Sequence, residues 1–264
     1  LEFDPMRSAS CTGSGILQEK NLRLGDTLNA RTFALAERTG LPLLNICSTC
    51  QGVMSQANQR LTSDPDYLAS INEDLAEEGL EYKGTVDPRH LMWIIVEDVG
   101  IEKLRSQVTL PLTGFKVAPF YGCYIVRPST ALDFSGHPER ETSLETIIEA
   151  VGAEVTDFTG KNLCCGFPIL MINESNSVNM VAKHTDEAKN NGADAMVTPC
   201  PLCHLNLDGY QPQASKAAGH TIGLPILHLP QMLGLSLGID PKALKLNRHI
   251  ISSEKILSLL FVKP

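Results

Sequence analysis

Five cysteines between Cys123 and Cys203 are the residues of this chain whose type and spacing suit chemistry. They stand in Phe120-Tyr121-Gly122-Cys123, in Leu163-Cys164-Cys165-Gly166-Phe167-Pro168 and in Pro199-Cys200-Pro201-Leu202-Cys203-His204. Thiolates are preferred ligands of iron–sulfur clusters and of zinc. Zinc takes four ligands and would leave one of the five idle. Two adjacent cysteines do not easily clasp one small tetrahedral ion, whereas they can hold two neighbouring irons. The spacing therefore favours iron. Buried free thiols are the bland alternative, since cysteine packs well in cores. Gly122 and Gly166 have a mechanical reason to stand beside these cysteines: glycine lets backbone approach a sulfide and donate N–H bonds.

An echo of the pattern lies upstream. Ser10-Cys11-Thr12-Gly13 stands where Leu163-Cys164-Cys165-Gly166 stands later, and Cys47-Ser48-Thr49-Cys50 stands where Cys200-Pro201-Leu202-Cys203 stands. Cys11 and Cys47 are 36 positions apart, and so are Cys164 and Cys200 (47 − 11 and 200 − 164). A repeated internal offset of this kind signals a duplication. In the first copy Thr12 replaces the second cysteine of the pair, and no cysteine precedes Cys11. Cys11, Cys47 and Cys50 are thus three ligands in search of a fourth, which would make a [4Fe-4S] or a zinc site. Cys123 precedes Cys164 by 41 positions, so its upstream counterpart would fall about 30 residues before Leu1. The first half is expected to be incomplete at its N-terminus.

The doubled pattern, one cysteine, a Cys-Cys-Gly and a Cys-x-x-Cys, resembles the cysteine-rich CCG-domain family, in particular the heterodisulfide reductase B subunits and their relatives. The resemblance covers nearly the whole chain. It implies a noncubane [4Fe-4S] cluster held by Cys123, Cys164, Cys165, Cys200 and Cys203, which would be catalytic through that cluster. It implies thiol/disulfide or sulfur-compound redox chemistry in single-electron steps. Electrons would pass between this chain and two partners, an iron–sulfur protein similar to the reductase's C subunit and a flavin protein similar to its A subunit. The substrate would be a thiol, a disulfide or a sulfur carrier. The departure at Thr12 puts reduction of the methanogen heterodisulfide itself in doubt and suggests a bacterial sulfur-oxidation type. A rival within the same family is the electron-transfer or anchor subunit of a succinate/fumarate–quinone oxidoreductase. A zinc-stabilised structural module is a third reading.

At 264 residues the chain is long enough for one large or two small domains. The duplication predicts two similar α/β halves with mainly parallel sheets, related by a pseudo-twofold: residues 1–110 with the degenerate motif and residues 111–264 with the complete one. A formal net charge of −8 and the lack of a basic tract argue against a nucleic-acid partner. Eight cysteines at these spacings suit metal ligation better than a disulfide scaffold, which belongs to short secreted chains. The apolar runs are too short for a transmembrane segment, and no secretory signal opens the chain. A cytoplasmic protein is expected, with peripheral association with a membrane complex left open.

The elements that must position the cysteines follow from periodicity. Helices are predicted over residues 22–38, from Cys50 to about Leu61, over 64–79 and from Asp87-Pro88 to about Val99, the last with Asp as cap and Pro in the first turn. Others are predicted over 101–108, from Thr142 or Ser143 to Gly152, over 174–191 and from Pro230 through Leu237. Strands are predicted at residues 1–3, 41–46, 116–120, 154–158, 195–198 and 224–229, with a packed tail through Phe261. Cys47 and Cys200 then sit where strands end and helices begin, the place where sites gather in parallel-sheet folds, and where helix N-termini suit an anionic cluster.

His184 and His204 are candidates for proton transfer near the cluster, though helical histidines more often serve packing. Met171 and Met180 read as core. Glu73-Asp74 and Glu77-Glu78 read as a solvated face. Residues 227–239 are apolar enough to be a membrane-facing segment, with core packing the plainer alternative. Gly13-x-Gly15 completes no nucleotide fingerprint, so electrons must come from another chain.

Overall fold

The computed structural model describes residues 2–261. Strands β1 (Leu43–Asn45), β2 (Pro88–His90), β3 (Lys116–Pro119), β4 (Glu154–Val155), β5 (Ala195–Thr198) and β6 (Ile226–His228) form two sheets. One is the parallel pair β1-β2, and the other has the order β4-β3-β5-β6 with every pairing parallel. The helices are α1 (Ile16–Lys20), α2 (Leu22–Thr39), α3 (Ser48–Ser63), α4 (Pro65–Leu75), α5 (Leu91–Ile94) and α6 (Ile101–Gln107). They continue as α7 (Ser143–Ala150), α8 (Glu174–Asn190), α9 (Pro201–Gly209), α10 (Gln211–Ala218), α11 (Leu229–Ser236) and α12 (Glu254–Phe261). The predicted α/β class with parallel sheets is what the chain adopts.

Successive side chains of a strand face opposite sides, and the four-stranded sheet accordingly separates two cores. Val117, Ala195, Val197 and Leu227 face a core with Trp93, Leu144, Ile147 and Met232. Ala118, Met196 and Ile226 face the other, with Phe120, Val181 and Leu207. Parallel strands covered on both faces read as continuous apolar runs, as Ala195-Met196-Val197 does. A third core joins α2, α3 and α4 through Phe33, Met54, Leu61 and Ile71. Met92, Trp93, Ile95 and Leu104 precede residue 110, yet they pack in the core centred on β3 rather than in this third one.

The two motifs occupy corresponding places. Asn45 pairs with His90 as Thr198 pairs with His228. Asn21 caps α2 by accepting from the N–H of Leu24 at 3.0 Å, and Asn173 caps α8 by accepting from that of Asn176 at 3.0 Å. Cys47 and Cys200 are extended N-cap residues of α3 and α9, at φ −133° and −125°.

Several boundaries differ from expectation. Asp87-Pro88 does not start a helix. Pro88 opens β2, a position where its missing N–H costs little, and α5 begins after His90, whose side chain takes over the capping. Thr142 precedes α7 without a side-chain cap bond. Residues 2 and 3, expected in a strand, have no regular structure, and Leu1 lies outside the described residues. The predicted strand at 154–158 is only Glu154–Val155. Met171 is not core: it is 93% exposed, whereas Met180 is half-buried. Residues 227–239 are core for most of their length, with Leu227, Leu229, Met232, Leu233 and Leu235 buried; the segment therefore presents no broad apolar face. Asp74 and Glu78 are exposed and paired with Arg23 and Arg31.

Candidate metal centre

Local structure delivers each cysteine of the complete motif to one place. β3 ends at Pro119, and the following loop is tied down by the N–H groups of Tyr121 and Gly122, which donate to Lys161 O at 2.8 and 3.2 Å. Gly122 adopts φ +75°, and a Cβ there would meet the Cys203 sulfur at 3.0 Å. The adjacent pair lies in the loop between β4 and α8. Its carbonyls are held from the helices: His184 Nε2 lies 3.0 Å from Cys164 O, and Asn206 Nδ2 donates to Cys165 O at 2.7 Å. Gly166, at φ +93°, donates its N–H to the Cys164 sulfur at 3.4 Å. Cys200 follows β5 as the N-cap residue of α9, and Cys203 sits in the first turn of that helix.

The sulfurs form a continuous string. Cys123 and Cys165 neighbour Cys164, Cys203 neighbours Cys165 and Cys200, and Cys47 neighbours Cys50 and has its sulfur 3.9 Å from that of Cys200. Thr12 Oγ1 closes the string by donating to the Cys50 sulfur at 3.5 Å. Cys11 is exposed and takes the Gly13 N–H at 3.4 Å, as Cys164 takes that of Gly166. All eight cysteines are free thiols. Between Cys123, Cys165, Cys200 and Cys203 lies a small enclosed cavity, walled also by Tyr121 and Phe167.

Crowding spreads the acidities of the thiols. The hydrogen bonds from Cys123 and Cys165 hold Cys164 down to about 2, and the Cys47 thiol draws Cys50 down to about 7. Hydrogen bonding to Cys203 and Cys47 holds Cys200 low despite its burial. Donation to Cys164 pushes Cys165 up to about 12, and Cys123, Cys47 and Cys203 are raised for the same reason. So many sulfurs cannot all shed their protons against one another. A bound cation removes that repulsion, since metal binding takes the place of the protons. Four thiols lining one small cavity, with further cysteines beside them and glycine backbone against sulfur, fit an iron–sulfur cluster.

The two histidines named from sequence differ. His184 is buried against Phe120 and is engaged with the Cys164 carbonyl, and burial lowers its pKa. His204 is half-buried against His249, and its Nε2 finds no hydrogen-bond partner among the described residues. Four further residues were not visible in the sequence. His90 Nε2 lies 3.0 Å from Pro199 O, His228 Nε2 lies 3.1 Å from Ile46 O, and Thr49 Oγ1 lies 3.4 Å from the Cys200 sulfur. Tyr124 abuts both Gly15 and Gly52 and lines the cavity. The signal for the histidines was a shared His-Leu step, His90-Leu91 and His228-Leu229. It was hidden because His90 follows Cys50 by 40 positions (90 − 50) and His228 follows Cys203 by 25 (228 − 203).

Residues 117–208 match the model of the cysteine-rich CCG domain. The chain is 39% identical over 247 residues to the 8-methylmenaquinol:fumarate reductase membrane anchor subunit of Wolinella succinogenes, spanning 94% of this chain and 85% of that one. It is 31% identical over 256 residues to the B subunit of ferredoxin:CoB-CoM heterodisulfide reductase of Methanosarcina mazei, at 96% and 85% coverage. It is 31% identical over 246 residues to a protein of Archaeoglobus profundus described as like the heterodisulfide reductase B subunit, at 92% and 82% coverage. Its fold resembles a hypothetical protein from Helicobacter pylori known by crystal structure, with a TM-score of 0.71 at 19% identity. That match covers 88% of this chain but 42% of the other, and it bears on the fold alone. No helix among the described residues is long and apolar enough to cross a membrane. The chain belongs to the cysteine-rich CCG family, among the relatives of the heterodisulfide reductase B subunit.

Proposed function

We propose that this chain is the cluster-carrying redox component of a multi-subunit, heterodisulfide-reductase-like oxidoreductase acting on thiols, disulfides or other sulfur compounds. Cys123, Cys164, Cys165, Cys200 and Cys203 would hold a noncubane [4Fe-4S] cluster. One observation carries this reading. The adjacent pair splits, Cys164 neighbouring Cys123 while Cys165 neighbours Cys203 and lines the cavity together with Cys123, Cys200 and Cys203. A single tetrahedral ion has no use for that arrangement. When bound, the cluster supplies one-electron chemistry at sulfur. The chain's own residues orient its ligands: Gly166 donates to the Cys164 sulfur, while His184 and Asn206 hold the two carbonyls of the pair. Tyr121 and Phe167 wall the cavity.

Cys11, Cys47 and Cys50 form the second candidate site, for a [4Fe-4S] cluster or zinc, with Thr12 in place of a ligand. The matching positions of the two motifs support a duplication, with halves at 1–110 and 111–264. An iron–sulfur partner similar to the reductase's C subunit, together with a flavin partner similar to its A subunit, would exchange electrons with this chain in the cytoplasm.

The Wolinella relative supports a second reading, an electron-transfer and anchor subunit of a fumarate–quinone oxidoreductase. One experiment separates these readings. Protein purified without air is analysed for iron, sulfide and zinc, then oxidised with a thiol or a quinone present and followed by EPR. Roughly four irons with a thiol-sensitive signal, lost in Cys165→Ser, supports the sulfur reading. A quinone-sensitive signal, with binding to lipid vesicles, supports the anchor reading. Zinc without iron overturns both.

A further inference from the structure

His90 and His228 make the same contact in opposite directions across the seam between the motifs. Each ends a strand, at φ −75° and ψ 142°, and each is the N-cap residue of the helix that follows. His90, from the first motif's sheet, reaches the carbonyl of Pro199, the residue before Cys200. His228, from the second motif's sheet, reaches the carbonyl of Ile46, the residue before Cys47. The tautomer of His90 is determined: the Met92 N–H donates to Nδ1 at 3.1 Å, so Nε2 carries the proton and donates to Pro199 O. Ile46 O can only accept, so His228 Nε2 donates as well.

A peptide is planar, so holding the Pro199 oxygen also sets the direction of the Cys200 N–H and the position of its Cα. The other edge of that peptide is held too, because the Cys200 N–H donates to Thr198 Oγ1 at 3.3 Å. The two cysteines placed in this way have sulfurs 3.9 Å apart. Groups that orient metal ligands in this manner act on affinity and potential without touching the metal.

We propose that His90 and His228 are positioning residues for the metal centre, each holding the peptide that carries a Cys-x-x-Cys cysteine of the opposite motif. The relative placement of Cys47 and Cys200 is then set by the docking of the two halves and not by either half alone. The proposal rests on the reading that these cysteines hold metal.

The test compares wild type with His90→Phe, which fills the space without a donor, and with His90→Gln, which keeps an N–H. Metal-free chains are titrated with cobalt(II), read by thiolate-to-cobalt absorption. The iron-reconstituted chains are titrated for midpoint potential by EPR. We expect His90→Phe to weaken cobalt(II) by about tenfold or more and to shift the potential, with His90→Gln recovering both toward wild type. A folded His90→Phe with wild-type cobalt affinity and potential overturns the proposal. If His90→Phe does not fold by circular dichroism, His228→Phe at the half-buried counterpart decides in the same way. Wild type that takes up cobalt but never iron would overturn the redox reading, while the cobalt comparison still decides the role of the histidines.

Discussion

The sulfur of Cys47 lies 3.9 Å from the sulfur of Cys200, 153 positions further along the chain. The upstream cysteines are therefore not a separate site at the far end of the molecule; they abut the complete motif. Thr49 reinforces the contact with its hydroxyl 3.4 Å from the Cys200 sulfur.

Metal-free protein should cross-link at that contact. Diamide oxidises two neighbouring thiols to a disulfide and is itself reduced, and the small separation favours Cys47 with Cys200. Mass spectrometry of a proteolytic digest should find this pair. Closing so long a loop should also stabilise the fold under non-reducing conditions, by about 5 kcal/mol in the chain-entropy limit, read as a raised unfolding midpoint. The metal-loaded chain should resist the reaction.

Thr12 occupies the place that Cys165 fills in the complete motif, facing Cys50 as Cys165 faces Cys203. Thr12→Cys would give the upstream site four cysteines, the number that holds a [4Fe-4S] cluster. Iron per chain should rise, by roughly twofold where a second cluster forms. Unchanged iron and zinc in a folded variant would show that the added cysteine recruits no further metal.

Gly166→Ala should cost stability and metal together. The residue sits at φ +93°, and a Cβ would lie 2.8 Å from Ser177 Oγ and 3.0 Å from Ser177 Cα. The strained conformation and the overpacking together suggest a loss of about 1–3 kcal/mol in urea unfolding. Movement of the loop should also pull the Gly166 N–H off the Cys164 sulfur, so reconstituted iron should fall.

Glu97 carries an acid-sensitive part of the stability. Burial alone would raise its carboxyl pKa, but hydrogen bonds from Arg140 and the charges of Arg140 and Arg89 outweigh it and hold the value below 4.5. The unfolded chain then binds the proton more readily than the fold does. This contribution is present above the ordinary carboxylate range and is lost as pH falls through the lowered value. Glu97→Gln, which leaves Arg140 buried against Trp93 without its counter-charge, should cost ~3 kcal/mol at pH 7. The variant should also flatten the acid limb of a pH series of urea midpoints.

Much of the fold was legible in the chain because it depends on local pattern. The continuous apolar run Ala195-Met196-Val197 marked a buried parallel strand, and the repeat of 36 positions placed two Cys-x-x-Cys pairs at strand-to-helix junctions. Asp87-Pro88 misled for the opposite reason. Its helix-start signature is local, whereas pairing of Pro88–His90 with Leu43–Asn45 is a long-range contact that outweighed it.

By itself the sequence determined which residues are candidates for metal and that strands and helices alternate. Those are matters of residue type, spacing and period. Only the tertiary structure decided that Cys47 meets Cys200 and that His90 and His228 each hold the other motif's loop. Contacts across the seam depend on how two packed units dock, and that geometry leaves no regular period along the chain.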